Sequence, residues 1–100
     1  MEQANTNKNH ADLPEMFRPI MWSYRFKDID ADKHREEIIV NTINFGNLQH
    51  WHWLIARYGK KEIHRVLLRR LATEFNPESR HLARLVFGVN HWRYARGSAN

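Results

Sequence analysis

The chain has 100 residues, a formal net charge of +5 at neutral pH, 12% aromatic residues and no cysteine. That length holds one domain with a modest core, and the lack of thiols excludes disulfides, thiolate nucleophiles and cysteine-ligated zinc. No window nears the ~18–20 apolar residues of a membrane span, and the opening stretch lacks the basic-then-apolar pattern of a secretory signal, so a cytoplasmic protein is expected.

The charge is unevenly spread. Residues 1–50 hold six Lys/Arg against eight Asp/Glu, whereas residues 51–100 hold ten against three. A basic half implies an acidic partner, either nucleic acid or an acidic protein surface.

Taken in order, residues 1–11 are polar and aperiodic and read as a disordered tail. Residues 12–26 are dense in apolar groups: Leu13, Met16, Phe17, Ile20, Met21, Trp22, Tyr24 and Phe26. Pro14 suits the start of a helical turn, and Pro19 disfavours helix at Arg18. From Trp22 to Phe26 the aromatics alternate, which suits an extended segment with one face buried. This arm is expected to pack over a helical core, the alternative being a partner-binding edge built on Trp22, Tyr24 and Phe26.

Helix is next expected over residues 32–45, with Ile38, Ile39, Val40 and Ile43 inward and Gly46 as its stop. A second helix follows over 47–59. Asn47 is its N-cap, Leu48, Trp51, Leu54, Ile55 and Tyr58 share one face, and Gly59 ends it. Residues 60–74 read as a third helix, burying Ile63, Val66, Leu67 and Leu71, with Leu68 extending that face. Lys61, Arg65 and Arg69 fall in one row along its outside. Like charges at that spacing repel slightly, so the row suggests an anion in the working state. Asn76 and Pro77 start a fourth helix as N-cap and N1, with Leu82, Leu85, Val86 and Val89 inward and Arg80, His81 and Arg84 outward. Residues 91–100 form a short basic, aromatic tail. The expected architecture is all-α: a compact bundle of about four short helices spanning residues 12–90 with its aromatic arm.

Chemistry is harder to find. No two of the seven histidines have the three- or four-residue spacing that puts two ligands on one helix face, and no cofactor is expected. His34 reads as a core-edge residue bonded to the Asp30 carboxylate. Ser23, Ser79 and Ser98 lie outside any G-x-S-x-G elbow, and there is no phosphate-binding glycine loop. These features point away from an enzyme. Two binding readings follow. In one, Trp22, Tyr24 and Phe26 join Lys61, Arg65 and Arg69 to grip a protein, since interfaces favour Trp, Tyr and Arg. In the other, residues 60–89 form a helix–turn–helix variant that meets DNA through Lys61, Arg65, Arg69, Arg80, His81 and Arg84. Either reading leaves homo-oligomerisation open.

Leu13-Pro14-Glu15, Phe17, Pro19, Trp22-Ser23-Tyr24, Phe26, Asp30 and His34 ahead of Ile38-Ile39, then Gly46, Trp53-Leu54, Tyr58-Gly59, Ile63 and Leu67 form a scattered pattern over residues 13–89. This pattern resembles a family of small uncharacterised bacterial proteins, a domain of unknown function often encoded beside a nucleotidyltransferase-like toxin of the abortive-infection type. The resemblance implies an antitoxin-like role: binding and neutralising a partner toxin without catalysis.

Overall fold

The computed structural model describes residues 11–94. Four α-helices carry the fold: α1 (Arg35–Phe45), α2 (Leu48–Tyr58), α3 (Lys60–Arg69) and α4 (Pro77–Phe87). Short 3-10 turns at Glu15–Ile20, Phe26–Asp28 and Ala72–Glu74 complete it, and no strand forms among the described residues. The all-α bundle expected from the periodicity is what the chain adopts. The expected tail over residues 1–11 falls, but for Ala11, outside the described residues, as do the last six residues of the C-terminal stretch.

One core joins the arm to all four helices. Leu13, Phe17, Ile20 and Met21 from the arm, with Ile29 just beyond it, meet Ile38, Ile39 and Ile43 of α1, Leu54 of α2, Ile63, Val66 and Leu67 of α3, and Ala83 and Phe87 of α4. The arm is not an extended segment. Successive turn bonds fold it back, with the amides of Met21, Tyr24, Asp28 and Ile29 each donating to the carbonyl three residues earlier. A 3-10 turn runs through Arg18 and Pro19, where Pro19 was expected to disfavour helix.

Local chemistry sets the helix ends. α1 begins at Arg35, three residues later than the pattern suggested. The Asp30 carboxylate accepts the amides of Asp32 (2.8 Å) and Lys33 (3.0 Å), which holds those residues in a turn. His34 bonds through Nδ1 to the Asp30 backbone amide at 2.9 Å rather than to the carboxylate expected for it. Asn47 caps α2 as expected, and His50 returns the favour by accepting the Asn47 amide. Gly59 has φ +86° and is the single residue between α2 and α3; such a backbone favours glycine. α3 ends at Arg69, not at 74. The chain then turns through Ala72–Glu74 to Asn76, whose side chain accepts the Ser79 amide at 2.8 Å. Gly88, at φ +71°, ends α4.

Two features fix how the helices abut. Gly46 lets α1 turn directly into α2, since a Cβ there would stand 2.8 Å from the Thr42 carbonyl and 3.0 Å from His50 Cβ. Asn44, at the end of α1, donates to the Glu74 carbonyl (2.8 Å) and accepts the Asn76 amide (3.1 Å), clipping α1 to the start of α4.

α4 is rotated from the orientation its leucines suggested. Ser79, Ala83 and Phe87 are buried, with Val89 just beyond, while Leu82 and Leu85 are exposed. The small side chains of Ser79 and Ala83 let the helix approach the core closely. Leu48 and Leu68, also expected inside, are exposed as well.

Candidate functional site

The residues singled out from the sequence fall into separate places. Trp22 and Tyr24 are exposed on the arm, while Phe26 is half-buried with the Arg18 guanidinium 4.5 Å above its ring. Trp22 meets Phe45 edge-on at 5.0 Å, and Tyr24 lies 6.2 Å from the His34 ring. Burial and the nearby Glu37 charge push the Tyr24 phenol pKa above its ordinary value.

The outer row of α3 is largely satisfied from within. Arg65 forks onto Glu62 at 2.6–3.0 Å, and this bond holds the Glu62 carboxyl below its usual range. Arg69 pairs with Glu36, which also takes Arg70 at 3.1 Å; Arg70 in turn reaches Glu74 at 2.8 Å. Lys61 makes no ion pair among the described residues. Two of the three charges that suggested an external anion therefore already face carboxylates. Tyr58, Lys61, Glu62, His64, Arg65 and Leu68 line a broad groove of about 460 Å³ on this side.

On α4, Arg80 donates to the Ala72 carbonyl at 2.8 Å and acts as a tie for the preceding turn. His81 and Arg84 are exposed without ion pairs among the described residues. The connection from α3 to α4 spans Arg70 to Asn76 and contains a 3-10 turn, whereas a helix–turn–helix uses a turn of about three or four residues.

The sequence reading missed an apolar face formed by α2 and α4. Gly46, Asn47, Leu48, Trp51, Leu82 and Val86 line a groove of about 270 Å³. Trp51 stacks on Phe87 (5.5 Å, 20°) at its floor. Phe45 adjoins it at the end of α1, and Leu85 lies one turn along from Leu82. The pattern did contain these leucines, but at spacings that read as core. Among the described residues, no group of three or more His, Asp or Glu is placed to hold a metal, and no helix is long and apolar enough to cross a membrane.

A family model described as a family of unknown function (DUF6922) matches residues 16–67, just over half of the chain. The chain belongs to this family. Nothing among curated proteins or solved structures matches it. The matched DUF6922 segment holds most of the arm, α1, α2 and nearly all of α3, and leaves α4 outside. Of the apolar face, Phe45, Leu48 and Trp51 therefore lie in the DUF6922 segment, and Leu82, Leu85 and Val86 do not.

Proposed function

We propose that this DUF6922 protein is a non-catalytic binding domain that grips a partner protein with its arm and the outer face of α3. The observation that carries this reading is the divided burial of the arm. Leu13, Phe17, Ile20 and Met21 anchor it in the core, and Trp22 and Tyr24 remain outside on a backbone already fixed by turn bonds. Large aromatics held rigidly at the surface supply contact area with little ordering cost. The resemblance stated above gives the partner its class: a nucleotidyltransferase-like toxin, which the bound domain would neutralise by covering it.

The test is co-expression of the chain with the protein encoded beside its gene, followed by affinity purification after nuclease treatment. Rescued growth and stoichiometric co-elution, both lost with Tyr24→Ala while the fold survives, support the reading. A folded chain that neither rescues growth nor retains that protein overturns it. The DNA reading rests on Lys61, His81 and Arg84, and the long α3–α4 connection weighs against it; binding that falls steeply with salt would support it.

A further inference from the structure

We propose that the apolar face of α2 and α4 is the seat of a second copy of this chain, joined through a two-fold axis. The proposal goes beyond the partner reading and shares only Trp22, at its edge, with it. Five large apolar side chains are exposed along this face: Trp22 at 61%, Phe45 at 52%, Leu48 at 70%, Leu82 at 46% and Leu85 at 63%. They are continuous. Trp22 touches Phe45, Phe45 runs into Gly46 at the groove, and Leu48 and Leu82 line it from opposite sides.

At ~200 Å² for a fully exposed large side chain, these fractions amount to roughly 600 Å² of apolar surface. That lies at the upper end of the ~300–600 Å² patches of ordinary monomers. With a polar rim it comes to the ~800 Å² per partner of a standard interface.

Charge and shape select the occupant. The groove is lined without a single Lys, Arg, Asp or Glu, although the chain carries a net +5. An acidic partner finds no cation in this groove to pair with. Net charge of one sign opposes self-association, and a contact centred on an uncharged groove brings the fewest like charges together. The surface also offers both halves of a contact, protruding leucines beside a groove. A two-fold interface requires such self-complementarity. The face is preformed as well: the Trp51–Phe87 stack, the Asn47 cap and the Asn44 clip hold its three elements together, which lowers the ordering cost of association.

Sedimentation equilibrium of the full chain from ~1 to ~200 µM tests this over the range of modest affinities. The expected result is a reversible dimer at twice 12.1 kDa. Leu48→Glu and Leu85→Glu should each weaken it by ~100-fold or more, because each buries an unpaired carboxylate. Leu68→Glu, in the α3 groove, should leave the dimer intact. Circular dichroism confirms the fold of each variant; the substituted positions are exposed, and the mass of the unaltered chain is decisive in any case. A monomer at the highest concentration, or a dimer that survives both glutamates, overturns the proposal. Loss of partner binding in Tyr24→Ala would not change this result, so the two readings fail separately.

Discussion

Replacing His50 by alanine is expected to lower the unfolding free energy by about 3.5–4.5 kcal/mol, the sum of two hydrogen bonds, a ring contact and a stranded carbonyl. The imidazole is buried on α2. Its Nδ1 accepts the Asn47 amide at 2.9 Å, so Nε2 carries the hydrogen and donates to the Met16 carbonyl at 2.7 Å. The ring also meets Phe17 edge-on at 4.8 Å. Each bond contributes about 1 kcal/mol net, and the Met16 carbonyl left without a donor adds about another. The Phe17 contact is worth about 0.5–1.5 kcal/mol. His50→Phe retains a ring against Phe17 and loses both bonds, so its loss should be smaller, about 2–3 kcal/mol. Urea titration followed by tryptophan fluorescence and circular dichroism gives both values. A smaller m would show the arm detaching before the helices unfold. A loss below ~1 kcal/mol for His50→Ala, with m unchanged, would refute the idea that this ring ties the arm to the bundle.

Three further outcomes follow from the same geometry. Gly46→Ala should destabilise by ~1–3 kcal/mol in thermal or urea unfolding, since the new methyl meets a backbone carbonyl that cannot swing aside; an unchanged midpoint would mean that the α1–α2 corner is loose. Burial pushes the Tyr58 phenol up to about 12, and its hydroxyl donates to the Ala31 carbonyl at 2.6 Å. The folded chain thus keeps a proton that the unfolded chain releases near pH 10, so this stabilisation is complete below about pH 10 and lost as pH rises towards about 12. Because the ring is only partly buried, the size is about 1–2 kcal/mol. Subtracting the stability profile of Tyr58→Phe isolates it, and parallel profiles between pH 9 and 12 would contradict it. Glu36→Gln should cost about 1 kcal/mol at low salt and less in ~1 M salt, because Glu36 holds both Arg69 and Arg70 in a half-exposed cluster; equal losses at both salt concentrations would exclude an ionic origin.

What the sequence disclosed follows the range of the interaction responsible. The Asn47 and Asn76 caps were legible because a side chain meets an amide two or three residues away. The bond from Arg65 to Glu62 is as local, yet the row of like charges pointed instead to an external anion. The pairing of Arg69 with Glu36 spans 33 positions, so no spacing rule could reveal it. The direction of α4 was lost for another reason. Leu82, Leu85 and Val86 outweigh Ser79 and Ala83 in any hydropathy pattern, yet close packing prefers the small residues inside. The alternation from Trp22 to Phe26 misled because period two implies a strand only where a neighbouring strand exists to pair with it. Trp22 and Tyr24 were recognisable as candidate contact residues from composition. The face that Phe45, Leu48, Leu82 and Leu85 form was not, since it exists only once α4 is turned.

The clip from Asn44 to the start of α4 bears on modularity. The segment shared with the family stops at residue 67, yet the core does not stop there, because Phe75, Ala83, Phe87 and Val89 close it from beyond that point. Cut at 67, the chain would lose these four core side chains, Trp51 would lose the Phe87 ring stacked on it, and Asn44 would hold nothing. In this chain the matched segment is therefore a socket that needs a plug. Here α4 is that plug: Ser79, Ala83 and Phe87 close the interior, while Leu82 and Leu85 set the outer surface.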